Sequence, residues 1–162
     1  MTNKLNWISI KVMALMFVAW LFLVGPSIAH GLSADNFVLL DQHGVAHELR
    51  YHRDATAIVL ISHGNGCQVV RSNLPDYKAL RKDYKANGVH VLMLNANIQD
   101  TREKISNEAQ EWDFDFPILK DETQLIARSL KINRTAEVLV IDPRTWQVVY
   151  RCLLYTSPSP RD

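Results

Sequence analysis

The sequence predicts an α/β domain with a mixed central sheet and helices on both of its faces. Two continuous apolar runs, 57–62 and 89–95, have the composition of strands that are covered on both sides. Between them, apolar residues recur at spacings of three and four, as they do on the inner face of a helix. Strands that alternate with helices in this way pack as a sheet between two helical layers.

The overall composition suits one globular domain and excludes some functions. The chain has 162 residues, of which 48% are hydrophobic, enough for a single core. The formal net charge of +1 argues against nucleic-acid binding and against a polybasic patch on a membrane surface.

Residues 1–29 have the pattern of a secretory signal peptide. Lys4 and Lys11 precede an apolar run, 12–24, that is shorter than the about 20 residues of a membrane span. Small residues that end at Ala29 then predict cleavage after that position. An uncleaved membrane anchor is the alternative, and either interpretation predicts a periplasmic or secreted domain in an oxidising compartment.

Residues 152–162 match the in-frame translation of a transposase sequencing adapter, and we expect them to be an artefact. A native tail rich in proline and serine is the alternative. On the first interpretation the domain spans 30–151, and the natural chain continues past Arg151, where a fused or partner domain would follow. Cys152 is then discounted, which leaves Cys67 as the one cysteine to explain.

Turn and helix-ending signals predict the first half of the domain. The segments 37–40 and 45–49 flank Asp41-Gln42-His43-Gly44, which is typical of a β-hairpin. The helix after Cys67 is expected to kink at Pro75 and to end at Asn87-Gly88. Its expected buried stripe consists of Val70, Leu74, Tyr77, Leu80 and Tyr84.

Two further helices and a second hairpin complete the predicted order. Asp100, with Glu103 three residues later, is predicted to cap the second helix in a capping box. Asp121 is predicted to cap a third helix, whose buried residues are Leu125, Ile126 and Leu130. The strand 138–141 and the segment 146–150 are expected to pair.

From about Phe37 to Arg151 the chain resembles the redoxins, thioredoxin-fold proteins of the peroxiredoxin (alkyl hydroperoxide reductase) type. The similarity lies in the strand–turn–Cys–helix unit 58–71, in the segment 116–121 (Phe-Pro-Ile-Leu-Lys-Asp) and in the strand 138–143. The resemblance implies a thioredoxin-like fold with an N-terminal β-hairpin, and a C-terminal helix that is missing after Arg151. It implies thiol chemistry without a cofactor.

Two positions depart from the pattern of those proteins. Gly64 stands where thioredoxin-type enzymes carry the first cysteine of Cys-x-x-Cys, and where peroxiredoxins carry the threonine of Thr-x-x-Cys. Ala136 stands where thioredoxins place a cis-proline beside the cysteine. These departures count against dithiol exchange and, less strongly, against peroxide reduction, so Cys67 is expected to act alone.

The expected chemistry is centred on Cys67 at the start of a helix. Unpaired backbone N–H groups and the helix dipole favour the reactive thiolate there. The turn Gly64-Asn65-Gly66 allows a substrate to approach the backbone closely, and Arg71 lies one helical turn away. We therefore expect attack by Cys67 on a peroxide or small disulfide, followed by reduction by an external thiol. A buried cysteine with only a packing role is the alternative.

Three further residues are candidates for the site. His63 ends the strand before the turn and is a candidate base or, with the sulfur, a metal ligand; a structural histidine is the alternative. Arg134 and Thr135 are expected near the loop that faces the cysteine turn. They would contact substrate there, or else be ordinary surface residues.

Two other functions stay open from the sequence. One is a non-enzymatic redoxin-like module, in which Cys67 is structural or a redox sensor and the domain docks onto another periplasmic protein. The other is a metal-handling protein, because signal cleavage would expose His30 as a terminal copper ligand near His43, His47 and His52. The spacing of these histidines matches no defined metal motif, and we expect no metal.

Overall fold

The computed structural model describes residues 31–154, and its centre is a seven-stranded sheet. The strands are β1 Val38–Leu40, β2 Ala46–Glu48, β3 Ala57–His63, β4 Val89–Asn95, β5 Ile118–Lys120, β6 Glu137–Ile141 and β7 Val148–Leu153. The α-helices are α1 Gln68–Ser72, α2 Leu74–Tyr84, α3 Arg102–Glu111 and α4 Leu125–Ser129. Short 3-10 helices cover Leu49–His52 and Lys85–Asn87. The predicted mixed α/β class is confirmed.

The strand order brings three parallel strands, β5, β4 and β3, to the middle of the sheet. The order is β2-β1-β5-β4-β3-β6-β7, in which β3–β4 and β4–β5 are parallel and the other pairs are antiparallel. The register pairs Ala57 with Val89 and His63 with Asn95, so β3 and β4 begin and end together. Because the carboxyl ends of parallel strands meet at one edge, the loops after His63 and Asn95 adjoin there.

Strand β3 is buried on both faces, as its composition predicts. Ile58 and Leu60 belong to the hydrophobic cluster on one face of the sheet, and Val59 and Ile61 to the cluster on the other. Full burial of a side chain of this size contributes about 1.5–3 kcal/mol. The central strands therefore give the loops at their carboxyl ends a rigid support.

The predicted N-terminal hairpin is confirmed, and Asp41 closes its turn. The Asp41 carboxylate accepts hydrogen bonds from the backbone N–H groups of His43 and Val45, at 2.8 and 2.9 Å. The buried side-chain amide of Gln42 bonds the backbone on both sides of Pro117. The hairpin is thereby attached to the sheet next to β5.

The helix after Cys67 is divided at Asn73, between α1 and α2 and two residues before Pro75. The predicted kink is confirmed, because proline has no N–H to continue the helical hydrogen bonds. The Asn73 side chain bonds the Val69 carbonyl at 2.8 Å across the break. The predicted burial of Tyr84 is wrong: the residue is 51% exposed, at the last position of α2.

The predicted capping box on the second helix is wrong. Thr101 is the cap of α3, and its hydroxyl accepts a hydrogen bond from the Lys104 N–H at 3.2 Å. Asp100 is buried and bonds inward instead. Aspartate and threonine are both common cap residues, so the sequence does not distinguish them. Here Thr101 caps the helix, and Asp100 accepts a hydrogen bond from the Asn65 N–H at the edge of the sheet.

Helix α4 is shorter than predicted and begins at Leu125. Asp121 is not its cap residue, although its carboxylate accepts a hydrogen bond from the Ala127 N–H at 2.9 Å. Leu125 is 61% exposed, so its predicted burial is wrong, whereas Ala127 and Leu130 are buried. The residue before the helix, Gln124, has φ +58°, a left-handed turn that delays the start of the helix.

Both predicted terminal segments lie wholly or largely outside the described residues. The predicted signal peptide, 1–29, is one of them, and within residues 31–154 no helix has the length and apolarity to cross a bilayer. Residues 152–154 are described, and β7 pairs with β6 as far as Leu153 opposite Glu137. This confirms the second hairpin and lengthens it. The adapter origin of 152–162 stays a prediction.

Candidate active site

Cys67 lies at the start of α1, as predicted, at the edge of the sheet where β3 ends. The Cys67 N–H donates to the Gly64 carbonyl at 3.1 Å and closes the Gly64-Asn65-Gly66 turn. Gly66 has φ +74°, a left-handed conformation that favours glycine. The thiol is free and half-buried, so small molecules can reach it.

The Cys67 sulfur contacts Thr135, which precedes β6. The distance from Cys67 Sγ to Thr135 Oγ1 is 3.1 Å, and the contact is open to solvent. The loop is attached to β3 by the Ala136 N–H, which donates to the Ser62 carbonyl at 2.8 Å. The structure therefore brings Cys67 and Thr135 into contact. The sequence analysis placed Thr135 near the loop that faces the cysteine turn.

Gly64 and Thr135 fit closely against each other. A Cβ placed on the buried Gly64 would lie 2.7 Å from Thr135 Cγ2, well inside the contact distance of two carbon atoms. The Gly64 backbone is not left-handed, so the threonine, and not the backbone, excludes a side chain at this position. Thr135 occupies the space that a cysteine or threonine at position 64 would need.

Ala136 directs the loop toward the cysteine turn. The residue is fully buried and has φ +62°, a conformation that costs a non-glycine residue about 1–2 kcal/mol. No peptide bond within residues 31–154 is cis. The backbone of this loop therefore differs from that expected of a cis-proline loop.

Two buried carboxylates hold the turn from the protein interior, and sequence reasoning missed both. Asp100 Oδ2 accepts hydrogen bonds from the Asn65 N–H at 3.0 Å and from the Asn95 side-chain amide at 2.9 Å. Glu108 Oε1 accepts one from the Gly66 N–H at 2.5 Å. Because both carboxylates are less than a tenth exposed, the turn is fixed by groups that solvent barely reaches.

His63 belongs to this buried group. The residue is 2% exposed, its Nδ1 lies 3.1 Å from Asn95 Nδ2, and its ring packs edge-on against Phe114. His63 Nε2 lies 3.2 Å from Glu108 Oε2 at ion-pair distance but without hydrogen-bond alignment. Neither atom has a hydrogen-bond partner among the described residues. The structure thus places His63 beneath the turn, with no hydrogen bond to the Cys67 sulfur.

Arg71 is exposed one turn after Cys67, and its side chain is engaged elsewhere. The guanidinium carbon lies 4.9 Å from the centroid of the Trp112 ring, in cation–π contact. The Arg71 backbone N–H donates to the Cys67 carbonyl at 3.0 Å, but within residues 31–154 its guanidinium forms no hydrogen bond with the Cys67 sulfur. The predicted reach of Arg71 toward the sulfur is therefore absent from this conformation.

A cleft of about 300 Å³ opens beside Thr135. Arg134 and Arg128 are exposed in its wall, and neither forms an ion pair within residues 31–154. The other polar residues in its lining are Ser62, His63, Asn97, Gln124 and Asn133. The cleft therefore extends from the two unpaired guanidinium groups to Thr135, whose hydroxyl contacts the Cys67 sulfur.

Tyr77, on α2, carries a buried hydroxyl close to the packing around Cys67. Tyr77 packs in the same hydrophobic cluster as Cys67, and its hydroxyl has no hydrogen-bond partner among the described residues. Burial, and then the negative charge of a Cys67 thiolate, raises the pKa of Tyr77 far above its ordinary value of about 10. Tyr77 is therefore neutral at physiological pH.

Two of the histidines considered as metal ligands are paired in other ways. His47 Nε2 lies 2.9 Å from Asp41 Oδ2, and His52 Nδ1 lies 2.7 Å from His90 Nδ1. Within residues 31–154, no group of three or more His, Cys, Asp or Glu side chains is arranged to hold a metal ion. His30 lies outside the described residues.

The fold and the site together define a class, the thioredoxin-like redoxins: a cysteine starts the helix after a central strand, and it faces the loop before an antiparallel strand. The AhpC/TSA family model matches residues 30–154, and the chain belongs to this family. The redoxin resemblance and the thioredoxin-like fold are therefore confirmed.

Solved structures share this fold. An uncharacterized conserved protein from Geobacillus kaustophilus has a TM-score of 0.72 at 27% identity, over 83% of this chain and 75% of that one. A hypothetical protein from Sinorhizobium meliloti 1021 has a TM-score of 0.71 at 25% identity, over 83% and 78%. The peroxidoxin BcpB from Mycobacterium tuberculosis has a TM-score of 0.66 at 19% identity, over 76% and 84%. No curated protein matches the sequence.

Proposed function

We propose that this protein is an exported thiol-dependent oxidoreductase that reduces peroxides through Cys67 alone. The observation that carries the proposal is a free, solvent-accessible thiol at a helix start in a chain of the AhpC/TSA family. A peroxidoxin with the same fold supports it. The coarser assignment, a redoxin of the thioredoxin fold, does not depend on the substrate.

The proposed reaction begins with the Cys67 thiolate and a peroxide, R–O–OH. The sulfur attacks the terminal oxygen, so an S–O bond forms as the O–O bond breaks. The sulfur is oxidised to a sulfenic acid, and the alkoxide that leaves takes a proton from water to become the alcohol. One external thiol then displaces water and forms a mixed disulfide, and a second thiol releases Cys67 with an external disulfide.

The neighbouring residues have supporting roles in this proposal. The turn Gly64-Asn65-Gly66 lets the substrate approach the sulfur. Arg71 assists by leaving Trp112 and turning toward the departing oxygen, and Arg134 contacts the substrate or the reducing thiol from the cleft. His63 is an accessory residue, and it acts through Glu108 on the shape of the turn.

The second candidate function is a non-enzymatic redoxin module that senses oxidants or docks onto another exported protein. Two observations favour it: no side chain at position 64 faces the sulfur, and Arg71 stacks on Trp112. In this candidate, Cys67 is oxidised slowly and is not turned over.

Peroxide consumption with dithiothreitol distinguishes these functions. The enzyme should consume hydrogen peroxide or an alkyl hydroperoxide catalytically, and Cys67→Ser should abolish this. Cys152→Ser, the matched control, should not. If dimedone labels Cys67 after peroxide treatment but no peroxide is consumed catalytically, the result would contradict the enzyme and support the redox sensor. No labelling at all would contradict both the enzyme and the sensor and leave a structural cysteine.

Export is tested separately from chemistry. Expression of the full chain followed by cell fractionation should place it outside the cytoplasm. Mass spectrometry should find His30 as the N-terminal residue if the signal is cleaved after Ala29. A cytoplasmic protein that begins at the initiator residue would contradict the export proposal and leave the thiol chemistry untouched.

A further inference from the structure

We propose that Thr135 is a catalytic residue, whose hydroxyl donates a hydrogen bond to the Cys67 thiolate from across the turn. Thr135 Oγ1 lies 3.1 Å from Cys67 Sγ, and within residues 31–154 no other side chain forms a hydrogen bond with that sulfur. A hydrogen bond to a charged acceptor is about twice as strong as one between neutral groups. The inference rests on the proposed reactivity of Cys67.

The position of the hydroxyl is fixed by packing against Gly64. The Thr135 methyl group occupies the space where a side chain on residue 64 would be, because a Cβ there would lie 2.7 Å from Thr135 Cγ2. A β-branched side chain has few χ1 rotamers, so seating the methyl group on the glycine directs the hydroxyl toward the sulfur. Gly64 and Thr135 are thus a complementary pair.

The loop that carries Thr135 is held in place from behind. Ala136 is fully buried and donates its N–H to the Ser62 carbonyl at the end of β3. Since Cys67 follows the same strand by one short turn, strand β3 sets the positions of both partners. The hydroxyl therefore meets the thiolate without a conformational change, and the open side of the contact admits a substrate.

The hydroxyl stabilises charge, and no bond to Thr135 breaks in the reaction. The hydrogen bond favours the thiolate over the thiol before attack. During attack the negative charge moves from sulfur to the departing oxygen, and the proton stays on Thr135. The residue therefore acts on the population and reactivity of the thiolate and not as an acid.

The test compares Thr135→Val, which keeps the shape and loses the hydroxyl, with Thr135→Ser, which keeps the hydroxyl. Both are made in Cys152→Ser chains, and the rate of Cys67 alkylation by iodoacetamide is measured against pH. Thr135→Val should move the midpoint of that profile upward by about one pH unit, which is a tenfold change in the equilibrium constant between thiol and thiolate. Thr135→Ser should stay within about threefold of the parent.

A swap of the two residues tests their complementarity. Thr135→Gly alone should slow alkylation about tenfold at a pH below the midpoint of the parent's profile. Gly64→Thr added to it should restore the rate to within about threefold of the parent, because the hydroxyl then comes from the other side. Should the double variant not fold, the valine and serine variants decide the question alone.

The outcomes for Thr135 and for the proposed function are separable. Equal alkylation profiles for the valine and serine variants would overturn the role of Thr135, even if peroxide is still consumed. A shifted profile for the valine variant with no peroxide consumption by the parent would support Thr135 and contradict the peroxidase.

Discussion

The Gly66 N–H donates to Glu108 Oε1 at 2.5 Å and so joins the cysteine turn to the buried face of α3. Asp100, just before α3, accepts the neighbouring Asn65 N–H at 3.0 Å. Backbone N–H groups of a turn that is packed against protein need partners, and here carboxylates supply them. The geometry around Cys67 thus depends on where α3 packs.

Replacing Glu108 by alanine should lower the free energy of unfolding by about 1–3 kcal/mol, since the Gly66 N–H loses a charged acceptor. Glu111→Ala changes an exposed glutamate on the same helix and should cost about 0.5 kcal/mol or less. Urea unfolding measures both. Glu108→Gln, which keeps an acceptor oxygen, should lie between them, and equal effects of the two alanine variants would contradict the role given to Glu108.

Asp100 and Thr101 are neighbours with different tasks, and alanine variants should separate them. Thr101→Ala removes only a helix cap and should cost about 1 kcal/mol, with unchanged alkylation of Cys67. Asp100→Ala leaves the buried Asn95 amide and the Asn65 N–H without their acceptor, so it should cost about 2–3 kcal/mol. It should also change the alkylation rate of Cys67. A loss for Asp100→Ala no larger than that for Thr101→Ala, with an unchanged alkylation rate, would contradict the role given to Asp100.

His52 should make stability depend on pH in the mildly acidic range. Burial, and then the positive charges of His90 and His47, lower the pKa of His52 below its ordinary value of about 6.5. The unfolded chain therefore binds a proton at a pH where the folded protein does not. Stability should fall as the pH drops through about 6.5 toward the folded pKa.

The measurement is urea unfolding at several pH values between about 8 and 5. His52→Gln should lose less stability over this range than the parent. The exposed His43, changed to Gln, should follow the parent, since its ring is in solvent. A slope for His52→Gln as steep as that of the parent would show that other groups titrate in this range.

Arg134 should favour a reducing thiol that carries negative charge, because the cleft beside Thr135 has two guanidinium groups without acidic partners. Arg134→Glu should raise KM for glutathione about fivefold and leave KM for the neutral dithiothreitol within about twofold. Lys82→Glu makes the same charge change on the exposed side of α2 and should alter neither. Equal effects on both thiols would contradict a charge-selective cleft.

Sequence reasoning succeeded where a local pattern has one outcome. Strands β3 and β4 were predicted from apolar runs, the kink from Pro75, and the position of Cys67 from the turn before a helix. It failed where two neighbours suit the same local role, as with Asp100 and Thr101. It also failed at Tyr84 and Leu125, which continue an apolar stripe beyond the part of the helix that packs on the sheet.

The order of strands and helices, the redoxin resemblance and the thiol at a helix start can be predicted from the sequence, because they depend on periodicity and on residues adjacent in the chain. The surroundings of that thiol depend on how distant segments pack. Thr135 lies 68 positions away from Cys67, and Glu108 lies 42 positions from Gly66. One sequence feature could have indicated Glu108: it is a charged residue three positions after the buried Ile105, on the apolar face of α3. Such contacts form because helices and loops that are distant in the chain pack against one sheet. The spacing of residues along the sequence does not predict which of them will meet.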